Sequence, residues 1–196
     1  LISVLLGLAM GSGTVFSLHY GAGNHVALRR SIFSSFVLIG IVTLILNVAV
    51  FIWIDPILRL LQVPQDIYGM MRSYLWIIFC GIVFTFIYNF YASLLRAVGD
   101  SVTPLWFLAV SVVLNIALDL FFILQLDWGI QGAAAATVFA QGVAALGIII
   151  YTYRRRPELR WHHEDMCFDR TCLKEIASFS TLTCVQQSVM NLGILM

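Results

Sequence analysis

Long uncharged apolar runs, each about the thickness of a bilayer, leave this chain few ways to fold. Crossing a hydrocarbon core takes about 20 apolar residues in a helix. Runs of that order cover residues 1–18, 31–54, 73–95, 128–153 and 176–196, and a sixth, 101–126, is interrupted only by Asp119. Every other Asp, Glu, Lys and Arg falls between the runs. Core helices of a soluble protein carry charge along an outer face, so this segregation points to lipid as the solvent. Composition agrees, because 61% hydrophobic against 11% charged residues and a mean hydropathy of +0.94 leave too little polar surface for a water-soluble globule. The expected fold is all-α, a polytopic transmembrane helical bundle of six spans with the first and last incomplete. The sequence opens inside one run and stops inside another, so a piece of a longer protein is expected. The first run lacks the basic start and cleavage pattern of a signal peptide.

A net charge of +1 suggests neither nucleic acid nor an acidic partner. Basic residues gather in the odd-numbered connections: Arg29 and Arg30 in the first, Arg96 in the third, and Arg154, Arg155, Arg156, Arg160, Arg170 and Lys174 in the fifth. Those connections are predicted to be cytoplasmic. The span holding Asp119 then runs outward, with the carboxylate in its outer half. The second connection, DPILRLLQVPQDI, reads as a short interfacial segment around two prolines. In RAVGDSVTP, Ser101 or Thr103 can cap the next helix, Pro104 suits its first turn and Asp100 complements its positive end.

A carboxylate inside a span costs roughly 2.5–3.5 kcal/mol on insertion scales, so it is retained for a partner or a task. Ser111, Asn115 and Asp119 recur every four residues and share one helix face. The hairpin LDWGIQG is short, so the fifth span returns antiparallel beside the fourth. Asp119 and Thr137 lie equally far from Trp128 along the chain and are expected to share a depth. Thr137 and Gln141, with Ala133, Ala136, Ala140 and Ala144, form a face that permits close approach and offers oxygens to a cation. Asp119, Asn115 and Thr137 together suit a monovalent cation or a proton, and the residue types do not separate the two. The structural alternative is a helix-to-helix hydrogen-bond pin.

Other polar residues in the spans are weaker candidates. Asn89, Gln186, Gln187, Gln141 and Ser111 could face a substrate cavity, although buried amides more often join helices. Gly7 and Gly11 form a small-x3-small pattern, which is a close-packing face. His162, His163, Cys167 and Cys172 lack the paired C-x2-C geometry of zinc sites and read as a solvated loop, so no metal is expected. Neither Cys80 nor Cys184, both within spans, calls for a disulfide. An intramembrane aspartyl protease needs two membrane carboxylates, and the spans hold only Asp119. The sequence therefore argues against an enzyme. A lipid-linked saccharide flippase of related architecture would need cationic residues along its cavity, and no Lys or Arg lies within the runs.

The run from Leu94 to Gln141 resembles the MATE (multidrug and toxic compound extrusion) transporters, through an LRAxGD-x3-P entry, an N-x3-D pair and a GAAxATxxxQ continuation. GLAMGSGTVFSLHYGAGN is similar to that family's second helix and the loop after it. The resemblance implies a twelve-helix transporter of two six-helix lobes in the plasma membrane, exporting organic cations and drugs in exchange for sodium ions or protons. Most of the amino-terminal lobe would then occupy residues 1–153, a cytoplasmic inter-lobe loop 154–175, and the start of the carboxy-terminal lobe 176–196. It also implies a cation site made by an Asn and Asp of helix five, a Thr of helix six and an Asp of helix one. The first three match Asn115, Asp119 and Thr137, and the helix-one acid lies outside this sequence. No cofactor is implied beyond the coupling ion. The implied partners are organic cation substrates, the lipid bilayer and the remainder of the same transporter chain.

Overall fold

The computed structural model describes residues 2–60, 62, 64–159 and 170–195. They form α1 (Ile2–Gly21), α2 (His25–Leu60), α3 (Gln65–Ala97), α4 (Val102–Leu124), α5 (Gly129–Arg155), a 3-10 turn at Pro157–Leu159, and α6 (Arg170–Leu195). Strands are absent among the described residues.

Local chemistry fixes the ends. Gly23, at φ 67°, ends the first turn region, and the Asn24 side chain accepts the Ala27 N–H at 3.1 Å to cap α2. The LRAVGD stretch is two devices in series. Gly99, at φ 88°, lets its N–H reach Arg96 O while the Asp100 N–H reaches Leu95 O, which closes α3 with a Schellman motif. Asp100 then opens α4, accepting the Thr103 N–H at 3.1 Å and the Thr103 hydroxyl at 2.8 Å. The cap is thus Asp100 itself rather than Ser101 or Thr103. The Tyr151 hydroxyl also donates to Asp100, at 3.3 Å. Burial pushes the Asp100 pKa up, but the Thr103 and Tyr151 hydrogen bonds and the Arg156 charge outweigh it and hold the carboxyl below its ordinary value.

Two helices are longer than the sequence suggests. At 36 and 33 residues, α2 and α3 each reach about 50 Å, against a hydrocarbon core of about 30 Å. The DPILRLLQVPQDI stretch is not a separate interfacial segment. Its first half continues α2 through Pro56, and α3 starts at Gln65. Asp55 joins the two helices there, accepting from Tyr68 Oη at 3.0 Å and Arg72 Nε at 2.9 Å. These bonds compensate at a point where proline removes a helical donor.

The chain divides into two compact units, one of residues 1–42, 89–105 and 148–196, the other of residues 43–88 and 106–147. In the first, Phe16, Phe36 and Phe90 meet edge to face around Phe90, at 5.9 and 5.2 Å. Helix α1 lies against α6 with almost nothing between the backbones. A methyl added at Gly7 would fall 2.7 Å from Cys184 Cα, and one at Gly11 would fall 2.5 Å from Ser180 Cα. Side chains of both α6 and α3 donate to main-chain carbonyls of α1: Ser180 of α6 to Leu8 at 3.4 Å, Cys184 of α6 to Val4 at 3.5 Å and Ser93 of α3 to Ala9 at 2.6 Å. The small-x3-small pattern is therefore a packing face, and its partner is α6.

In the second unit α3 and α5 run side by side in the same direction. Gly81 faces Val138 and Gly142 faces Phe84, and the Thr85 hydroxyl donates to Gln141 Oε1. Gly147 admits the Phe107 ring of α4. Asn47 of α2 donates to Phe79 O at 2.7 Å. Small and polar residues such as Ser34, Ser35, Ala134, Ala136 and Ala140 are buried, whereas Leu44, Ile52, Trp106 and Val113 are exposed. That inversion of a soluble core is what lipid solvation selects. Five helices, α1 to α5, are long and apolar enough to cross a membrane among the described residues. The last apolar run forms α6, whose Lys174, Glu175, Ser178 and Gln186 dilute its apolar character.

Candidate cation site on α4 and α5

The fourth and fifth helices form a hairpin whose turn sets which side chains meet. The Trp128 N–H bonds to Phe122 O at 3.1 Å, and the two rings stack at 5.4 Å. The chain thus reverses around residue 126, between the end of α4 and the start of α5, rather than at Trp128. Asp127, at φ 54°, and Gly129, at φ 52°, take the left-handed conformations that complete the turn. Gly132 leaves room for Phe122 and Trp128, whose Cβ atoms would lie 3.0 and 3.1 Å from a methyl there.

Because the turn is centred earlier, the register differs from the expected one. Thr137 meets Asn115, not Asp119: Asn115 Nδ2 donates to Thr137 Oγ1 at 3.2 Å. Thr137 in turn donates to Ala133 O at 2.9 Å. Asp119 lies one helical turn further toward the hairpin, about 6 Å along α4. Its Oδ1 is sealed from solvent and has no hydrogen-bond partner among the described residues. The two helices are therefore pinned by an amide and a hydroxyl, and the carboxylate oxygen stands apart from that pin. Asn115, with its nitrogen engaged, keeps its carbonyl oxygen as an acceptor.

The other candidates separate. Ser111, one turn before Asn115, is buried. Gln141 is bound by Thr85 of α3, a residue the sequence analysis did not single out. Asn89 is half-buried on α3, and Gln186 is exposed on α6. The side chain of Gln187 lies outside the described residues, as do His162, His163, Cys167 and the side chain of Cys172. Asn47, buried and bonded across to α3, was also missed. Its one signal was an amide standing alone in an apolar run.

A sequence profile of the MatE family matches residues 1–121. This chain belongs to the MatE family. MatE proteins are multi-pass membrane transporters, not enzymes, and this one resides in the plasma membrane, as its bacterial relatives imply. Among those relatives is the "Probable multidrug resistance protein YpnP" of Bacillus subtilis, 37% identical over 155 residues, an alignment covering 79% of this chain and 35% of the relative. The chain thus spans about a third of that protein's length. Two solved MATE transporter structures share the fold. One is described as outward-facing, with a TM-score of 0.90 at 22% identity over 99% of this chain and 43% of that one. The other is described as inward-facing, with a TM-score of 0.89 at 23% identity over 95% and 42%.

Proposed function

We propose that this MatE chain forms part of a cation-coupled antiporter that exports organic cations, drugs or other xenobiotics by alternating access, with Asp119, Asn115 and Thr137 as the seat of a sodium ion or proton. The observation that carries this reading is the Asp119 oxygen sealed without a partner one turn from an Asn115–Thr137 hydrogen bond. A packing pin would have the acid bonded across the helices, whereas here the amide and hydroxyl make that bond. A buried carboxylate oxygen with no donor is costly unless a proton or cation neutralises it. Occupancy would then change the balance between conformations, because a ligand shifts an equilibrium by its differential affinity for the two states.

The test is efflux of a fluorescent organic cation from vesicles holding the full-length protein, with sodium and pH gradients imposed separately. One of the two gradients should drive efflux, and Asp119→Asn should uncouple it. Indifference to both gradients rejects antiport, and undiminished gradient-driven efflux by Asp119→Asn rejects the site.

A further inference from the structure

At the end predicted to be cytoplasmic, α2, α3 and α5 each leave their apolar run on an arginine. Arg30 directly precedes the run 31–54, Arg96 directly follows 73–95 and Arg154 directly follows 128–153. Contacts within the first compact unit bring these ends together. Helices α2 and α3 run antiparallel, and Phe36 meets Phe90 at 5.2 Å. Carried about six residues further along each helix, or about 9 Å, the same register sets Arg30 level with Arg96. On the other side, Tyr91 of α3 shares a small pocket with Thr152 and Tyr153 of α5, which lead directly into Arg154, Arg155 and Arg156. The Asp100 N–H folds back onto Leu95 O beside Arg96, and the Asp100 carboxylate lies within the field of Arg156. The ends of the apolar runs and the side-chain contacts therefore agree on one depth for the arginines of three neighbouring helices.

The fold does not consume these guanidinium groups. Arg30 Nε is sealed from solvent and has no hydrogen-bond partner among the described residues. Arg96 Nε turns back to Ala92 O of its own helix at 3.1 Å, and Arg154 and Arg155 are exposed. Of the described carboxylates at this end, Asp100 is engaged by Thr103 and Tyr151 and Glu175 faces His19 at 3.8 Å. Membrane topology asks only for positive charge, which lysine supplies as well as arginine. Yet the single lysine of the chain is Lys174 of α6, and every basic residue at these three helix ends is arginine. A guanidinium differs from an ammonium in its planar fork, which matches two oxygens of a phosphate.

We propose that Arg30, Arg96 and the arginines ending α5 form a binding site for the phosphodiester headgroup of an anionic phospholipid in the inner leaflet, the acyl chains remaining in the bilayer. Depth decides the source of the phosphate. A side chain next to an apolar run stands at headgroup level, where lipid phosphate is the concentrated anion and basic pockets between helices collect it. The site is independent of Asp119 and of antiport, and it requires only the orientation given by the distribution of Arg and Lys.

The test is native mass spectrometry of the full-length protein released from mixed micelles containing dioleoylphosphatidylglycerol and dioleoylphosphatidylcholine in equal amounts. The parent should retain the anionic lipid in preference. Joint Arg30→Gln and Arg96→Gln should weaken phosphatidylglycerol binding about twentyfold, since each basic side chain near an anionic lipid is worth about fivefold. Joint Arg30→Lys and Arg96→Lys should weaken it about threefold to fivefold, because the charge stays and the fork is lost. Arg59→Gln removes the same charge in the last turn of α2, at its opposite end, and should change nothing. Equal retention of the two lipids by the parent overturns the site, as does phosphatidylglycerol binding that withstands the glutamine pair. Full binding by the lysine pair also overturns it and leaves only a diffuse basic belt. Displacement of the lipid by an equal concentration of glycerol 3-phosphate overturns the choice of lipid and marks a site for soluble phosphate. The lysine pair keeps the charge that sets topology, so it decides the matter even if the glutamine pair fails to insert.

Discussion

The contact of α1 with α6 and the contact of α4 with α5 both join helices through polar atoms, but they do so by opposite means. In the first, Ser180 and Cys184 donate to carbonyls of α1 that already serve its own helix, and glycines bring the backbones together. Nothing there can change partner without the helices parting. In the second, Asn115 bonds a side-chain hydroxyl, and Asp119 Oδ1 has no partner among the described residues. Side-chain pairs can be exchanged for an ion at little cost in packing. The lesson is that hydrogen bonds to main chain build fixed joints in a membrane, whereas bonds between side chains leave room for a switch.

The largest expected effect breaks the fixed joint. Gly11→Val puts a side chain where a methyl would already lie 2.5 Å from Ser180 Cα, and overpacking of that kind costs about 3 kcal/mol or more. Thermal unfolding of the purified full-length protein should show it, while Gly69→Ala, which meets open space, should unfold close to the parent. Equal behaviour of the two would erase the contrast.

Next comes Asp119→Asn, which should lower gradient-driven efflux at least about tenfold, equivalent to about 1.4 kcal/mol, without lowering the unfolding temperature. An amide in place of an unpaired buried carboxylate oxygen removes a desolvation penalty rather than a bond. A large loss of stability would make Asp119 a structural group and dissolve the distinction.

Asp100→Ala sharpens it from the structural side. Loss of the α4 cap should cost about 1 kcal/mol, with efflux retained by the protein that folds. Its pH dependence follows from the sign of the shift. The folded pKa lies below the ordinary 3.8, so the stabilisation is complete above the unfolded value and disappears as pH falls through the lowered folded one. The stability difference between parent and Asp100→Ala should therefore shrink only in acid, below about pH 4.

The smallest effect is expected at Thr137→Ala. Interhelical hydrogen bonds in membranes average about 0.6 kcal/mol, so stability should fall by about that much while the cation concentration for half-maximal efflux rises. A change in stability alone would return the Asn115–Thr137 pair to pure packing.

Much of the fold was legible because lipid imposes a simple rule: charges leave the spans, and each span becomes a helix. The helix ends were less so. Pro56 marked a break in the sequence, yet α2 continues through it because Asp55, Tyr68 and Arg72 brace the place. Of the site, Asn115, Asp119 and Thr137 stood out as polar residues in apolar surroundings. Their register did not, because it depends on the Trp128 to Phe122 bond and on the left-handed Asp127, which move the point of reversal. The identity of Thr85 as the partner of Gln141 was invisible for a related reason. Sequence periodicity gives a helix face but not the neighbour opposite it.

The bond from Ser180 to Leu8 joins residues 172 positions apart, and that separation has a consequence for biosynthesis. At about 5–20 residues per second, α6 is synthesised on the order of ten to thirty seconds after α1. Throughout that interval the glycine face of α1 must wait in the bilayer without its mate, so this joint can close only after the four helices between its partners have been made.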